Sequence, residues 1–342
     1  MNTRRPSIHD VAAAANVSIT TVSHALSGKG RLPQETRDHV RQAAERLGYT
    51  PSFTARGLAT GRSTLLAIQA SGFGPETLVP DLAYITDILN AASSHALERG
   101  YALVVLPPQA PVAHIERLGF EGATVIDPLG QETLLGAMRG QGKPVVTMGR
   151  IVTGSSSIPF VDTDHDAATT MVLDHLWDQG YRRPAVLTGG RGLSYVESVT
   201  RTYRGWCAER TIPDRIVEVD GRLTDESGRQ AMSAALRTRR GEIDSVYATL
   251  DALAIGAMTA ARDLGISVPD QLGIASITDS PLLRIPNPMI TALDLHPAVI
   301  GVKALSMLID TIEGGSAGGK KQGELIPADL VVRDSTARGA SG

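Results

Sequence analysis

Across 342 residues there is one cysteine, Cys207. A single thiol excludes an internal disulfide and a cysteine-based metal cluster, and it fits a reducing, cytoplasmic compartment. Cys207 follows Trp206 on a helical stretch and reads as a small buried side chain. No run approaches the roughly 20 apolar residues of a membrane span. The opening MNTRRPSIHD lacks the apolar segment of an export signal. The phosphate-cradling GxxxxGK(S/T) and the zinc-binding HExxH are both missing, and the eight histidines are scattered, none at ligand spacing to the cysteine. Gly189-Gly190-Arg191-Gly192 follows an apolar run but lacks GxGxxG spacing. Gly314 to Gly318 has the letters of a serine-hydrolase elbow. A helical pattern precedes it and a Lys/Gln/Gly loop follows, so nothing would strain Ser316 into exposure. No catalytic group, cofactor or metal is expected.

What is present begins at Ile8 to Leu26, IHDVAAAANVSITTVSHAL. Two short helices with apolar stripes (Val11, Ala12, Ala15; Val22, Ala25, Leu26) flank a tight turn at Ala15 to Ser18. Ser7, with Asp10 three residues on, can form a capping box on the first helix, and Ser18 can cap the second. The second helix offers Thr20, Thr21, Ser23 and His24 on its other face, a rod suited to the major groove of DNA. A third amphipathic helix, Gln34 to Leu47, follows Pro33, with Val40, Ala43, Ala44 and Leu47 on one stripe; Gly48 ends it and Tyr49 can pack back. Residues 52–60 have a weak helical pattern and would be helical only against a partner.

Charge agrees with this division. Net charge is −3, which argues against a general nucleic-acid binder. Residues 1–62 hold nine Lys/Arg and four acids, a net of +5, and the rest holds 24 basic and 32 acidic residues, a net of −8. A basic head on an acidic body is the asymmetry of a DNA reader attached to something else.

After Arg62 the pattern alternates strand and helix. Apolar runs at 64–70, 101–106, 122–127 and 144–148 are separated by helical stretches at about 80–99, 112–118 and 131–140. A second series has helices at 164–179, 194–211, 224–240 and 251–264, and strands at 184–188, 216–220, 244–249 and 272–277. Such alternation predicts parallel sheets covered on both faces, here as two doubly wound α/β subdomains with a cleft between them. Ligands of open parallel sheets sit beyond the carboxyl ends of the strands. The loops there offer Ser71, Phe73, Arg150, Ser194, Asp251 and Asp279. Asp251 could equally serve as the cap of the helix that starts there.

DVAAAANVSITTVSHALSG, followed by ETRDHVRQAAERLGYTPSFTARGLATGRS, resembles the lactose/galactose repressor (LacI/GalR) family. The likeness continues to the closing LIPADLVVRDST. It implies a small all-α helix-turn-helix head (1–50), a hinge (51–62), and a body of periplasmic-binding-protein type. The body would comprise an N-terminal subdomain (63–162 and 292–322) and a C-terminal one (163–291 and 323–336). The chain would cross between them near 162, 291 and 323. The resemblance further implies DNA contacts from Ser7, Ser18, Ile19, Thr20, Thr21, Ser23, His24, Ser27, Arg31, Tyr49 and Arg56. Leu58, with Ala55 beside it, would wedge into the minor groove. A homodimer would occupy a near-palindromic operator duplex, with a sugar or related metabolite in the cleft as effector. Asp251 and Asp279 match effector-facing positions, and Arg201 stands one place from the position where the family has an arginine. The chain departs from the family at His24, where arginine is usual, and at Thr202, Leu250 and Thr278. Two rival readings share the body: a DNA-binding regulator or activator that needs no ligand, and a small-molecule binding protein. The head separates the second of these from a regulator.

Overall fold

The computed structural model describes residues 6–27, 32–49, 63–71, 82–152, 157–190, 192–239, 241–314 and 323–338. Arg31, the hinge with Ala55, Arg56 and Leu58, and Phe73 lie outside the described residues. The chain divides into two compact units, residues 1–64 and 65–342.

The first unit is three helices: α1 (Ile8–Ala14), α2 (Ile19–Ser27) and α3 (Gln34–Leu47). Their stripes meet in one small core of Val11, Ala12, Ala15, Val22, Ala25, Val40, Ala43 and Ala44, with Tyr49 packed against it. Leu47 does not join this stripe; it is exposed. The chain stops there because Gly48 adopts a left-handed conformation (φ 62°). The Tyr49 and Gly48 N–H groups then donate back to the Ala44 and Glu45 carbonyls, a Schellman closure that swings Tyr49 onto the core.

The second unit contains two sheets. The first is wholly parallel and holds β1 (Leu65–Ala70), β2 (Ala102–Leu106), β3 (Gly122–Ile126), β4 (Val145–Met148), β5 (Phe160–Thr163) and β11 (Gly323–Ile326), in the order β11-β5-β4-β3-β1-β2. The second holds β6 (Pro184–Thr188), β7 (Ile216–Glu218), β8 (Ser245–Ala248), β9 (Gly273–Ser276), β10 (Thr291–Asp294) and β12 (Asp329–Val331), in the order β12-β10-β9-β8-β6-β7. Only β12 runs antiparallel there. Helices cover both faces: α4 (Leu82–Glu98), α5 (Val112–Leu118), α6 (Thr133–Gly140) and α11 (Pro297–Ile312) on the first sheet. On the second are α7 (His165–Asp178), α8 (Ser194–Glu209), α9 (Asp225–Thr238) and α10 (Asp251–Asp263).

The near-continuous apolar strands follow from this double cover. In β6, Ala185 and Leu187 face one core while Val186 faces the other; in β1, Leu66 and Ile68 oppose Ala67. The crossings fall later than the sequence suggested. β5 still belongs to the first sheet, β10 to the second and β11 to the first, so the chain changes sheet after Thr163, Asp294 and Ile326. LIPADLVVRDST is accordingly two strands. Pro327, which has no N–H to donate to a ladder, stands between them. No described helix is long and apolar enough to cross a membrane.

Helices α9 and α10 approach unusually closely. A Cβ added at Gly256 would lie 2.4 Å from the Asp225 carbonyl oxygen and 2.6 Å from the Arg229 nitrogen. Gly205, on α8, has nothing within 4 Å. Alanine at these two helical glycines is therefore predicted to act with opposite sign. Gly256→Ala should cost about 1–2 kcal/mol, because backbone overlap outweighs the gain in helix propensity. Gly205→Ala should add about 0.5–1 kcal/mol. Thermal denaturation of both variants checks the pair.

Candidate functional site

Helix α2 is placed by local chemistry. The Ser7 N–H and hydroxyl both donate to Asp10 Oδ2 (2.7 Å each), fixing the start of α1. Asn16 takes a left-handed conformation (φ 50°), which its short polar side chain tolerates, and turns the chain between the helices. Ser18 Oγ accepts from the Thr21 N–H (3.1 Å) and caps α2. Val22 and Ala25 are then buried, while Ile19, Thr20 and His24 stay exposed and Thr21 and Ser23 are half-buried. Ser27 is the last residue of the helix. The face the sequence assigned to DNA is thus free of the head's own core, whereas Tyr49 is partly occupied by packing. Ser7 and Ser18 serve as caps, so their reach toward a phosphate is shared with the helix ends.

The body gathers polar groups at the carboxyl ends of its strands. Arg150, after β4, bridges the two halves. Its Nε donates to Asp162 Oδ2 of β5 (2.8 Å) and its Nη2 to Ser198 Oγ of α8 (3.1 Å). Its backbone N–H donates to Ser194 Oγ at the start of the same helix (3.2 Å). Asp162 is buried and also accepts from the Thr163 N–H, and His165 Nε2 lies 3.5 Å from its other oxygen. The predicted pair Arg150 and Ser194 is therefore brought together, and Asp162, Ser198 and His165 complete the cluster. Ser198 could have been found as the residue one helical turn beyond Ser194; nothing local points to Asp162.

Asp251 and Asp279 have contrasting surroundings. Asp251 is buried, and its Oδ1 accepts from the Ala252 N–H (2.6 Å) as α10 begins. Burial pushes its carboxyl above the usual range, only partly offset by hydrogen bonds from Ser280 and backbone groups. Burial also pushes Asp279 up, but Arg333 and Arg284 outweigh it and hold the carboxyl below its ordinary value. Asp279 Oδ2 accepts from Arg333 (2.6 Å) and Arg284 (3.1 Å). Asp279 Oδ2 thus anchors the C-terminal segment, while its Oδ1 is buried without a partner. Beside it, the Thr278 hydroxyl is buried without a protein partner, as is Ser71 after β1. Arg201 is likewise engaged elsewhere: it is 62% exposed and forks onto Asp166 of α7 (2.6 and 2.7 Å), which also accepts from Thr202. Its predicted place at a ligand goes instead to this surface pair. No group of three or more His, Cys, Asp or Glu able to hold a metal occurs among the described residues.

Comparison with known proteins agrees with both halves. Residues 7–52 match the family described as bacterial regulatory proteins, lacI family, and residues 173–336 match the periplasmic binding protein-like domain. The ribose operon repressor of Halalkalibacterium halodurans is 27% identical, over 97% of each chain. The head thus carries the lacI-family domain, and the chain is similar to that family's regulators along almost its whole length. Two solved structures share its fold. The lac repressor dimer bound to operator and the anti-inducer ONPF has TM-score 0.75, 22% identity and coverage of 97% of this chain and 99% of that one. The regulator CelR in complex with cellobiose has TM-score 0.72, 22% identity and coverage of 97% and 100%. This chain is a sequence-specific DNA-binding transcriptional regulator.

Asp251 and Asp279 predict opposite responses to neutralisation. Asp279, whose carboxyl is held down, contributes stability that is present above the unfolded carboxylate value of about 3.9 and is lost as pH falls through the lower folded value. Asp279→Asn should cost about 3 kcal/mol at neutral pH, because it leaves Arg333, with 9% of its side chain exposed, uncompensated. Asp251, whose carboxyl is held up, favours the fold at low pH and opposes it once ionised. Asp251→Asn should raise stability at neutral pH and flatten its decline as pH rises above the unfolded carboxylate value of about 3.9. Denaturant unfolding against pH reads both.

Proposed function

We propose that this regulator is a homodimeric repressor whose operator affinity is set by a small polyhydroxylated molecule bound between the two sheets. The observation that carries this reading is Arg150. It links the halves of the body through Asp162, Ser194 and Ser198, at the strand ends where unpartnered Ser71 and Thr278 hydroxyls lie buried. A hydroxyl-rich ligand supplies partners that these groups lack. A ligand that favoured a different spacing of the halves would have to break or keep the Arg150 bridge, and its differential affinity for the two arrangements would be the allosteric coupling. The ribose and cellobiose named in the relatives are natural first candidates.

Self-association is supported by an apolar surface on the second half. Ile285 (75% exposed), Leu282 and Met289 line or adjoin a groove with Ile255, Met258 and Ile266. Exposed apolar residues clustered in this way mark interaction surfaces.

Operator binding measured by anisotropy, with ribose, cellobiose and other neutral sugars titrated in, tests the whole reading. Affinity should fall by roughly 10³-fold or more between 50 and 200 mM salt, as expected when several phosphates are neutralised. Removal of residues 1–64 should abolish it. An effector should release the operator, and Arg150→Ala should shift the effector concentration needed. Salt-independent binding, or binding that survives the truncation, would sink the DNA assignment. Ile285→Glu should shift sedimentation toward monomer and weaken operator binding together.

A further inference from the structure

Successive residues of α2 are turned by about 100°. Ile19, Ser23, Thr20 and His24 therefore share an arc of about 140°, opposite the buried Val22 and Ala25. The sequence of this helix contains no Lys, Arg, Asp or Glu. Its exposed arc consists of small hydroxyls, one imidazole and one large apolar side chain. That side chain, Ile19, is 42% exposed at the first helical position, directly after the Ser18 cap. It has no place among the residues that form or pad the head core, which take in Ile8, Val17 and Leu26 instead.

In a helix-turn-helix module the N-terminal residues of the second helix contact base edges in the major groove. Ile19 has no donor or acceptor beyond its backbone, so it cannot read a hydrogen-bonding pattern. The apolar group that the floor of that groove presents is the C5-methyl of thymine. We infer that Ile19 reads a thymine methyl in each operator half-site, and that this contact sets one base of the specificity while Thr20 and His24 read by hydrogen bonding. The inference rests on the DNA-binding reading of the head and adds the chemistry of the base being read.

The test uses the full chain. A preferred duplex is selected from random sequences, and each thymine is then replaced by deoxyuridine, which removes the methyl and leaves base pairing intact. One thymine per half-site should respond, with about fourfold weaker binding for one half-site and about sixteenfold for both, the size of one lost methyl burial each. Ile19→Ala should bind the thymine duplex more weakly and be indifferent to the replacement. His24→Ala should keep the full response. Selected half-sites without thymine, deoxyuridine without effect at every position, or an undiminished response in Ile19→Ala would each overturn the inference while leaving DNA binding in place. Failure to select any duplex would overturn both.

Discussion

Parallel strands bury both faces, and that requirement organises the body. A strand followed by a parallel neighbour needs a crossover long enough to return the chain to the same edge, and helices supply most of them. The loops that follow the parallel strands then leave from one edge of their sheet. Residues remote in sequence collect there without any local signal: Arg150 after β4, Asp162 on β5, and Ser194 and Ser198 on a helix after β6. The same requirement explains why β6 and β8 read as unbroken apolar runs, and why two glycines, Gly228 and Gly256, sit where α9 and α10 meet.

The chemistry of that edge depends on neutralisation. Carboxylates taken out of water must be paired, hydrogen-bonded or protonated. Asp162 is paired with Arg150, Asp279 with Arg333 and Arg284, and Asp251 leans toward its neutral form. Once these partners are assigned, the Ser71 and Thr278 hydroxyls and Asp279 Oδ1 are among the buried groups left without a partner.

In the head the division of labour is different. The basic residues that favour a polyanion lie outside α2, whereas the helix itself is neutral at its exposed arc. Phosphate attraction and base selection are thus carried by separate residues. The first is long-ranged and salt-dependent, and the second depends on contact.

The head was legible in the sequence because its determinants are local. Caps act over three residues, as in Ser7 with Asp10 and Ser18 with Thr21, and apolar stripes repeat every three or four. The alternation of strand and helix was legible for the same reason. Strand β5 was not, since four residues ending in Asp-Thr carry no pattern distinguishable from a loop. The points of crossing, which only the resemblance implied, lie after Thr163, Asp294 and Ile326, and Leu47 was assigned to a stripe that tertiary packing leaves exposed. The fate of each charged side chain lay further out of reach. Asp279 meets Arg333, 54 residues away, and Arg201 meets Asp166, 35 residues away. The sequence by itself determined which elements form and which faces they bury, because backbone hydrogen bonding and side-chain periodicity act over a few residues. Which carboxylate is paired, which hydroxyl is left over and which arginine joins the two halves were decided by the tertiary structure, because Coulomb attraction and desolvation depend on distance through space.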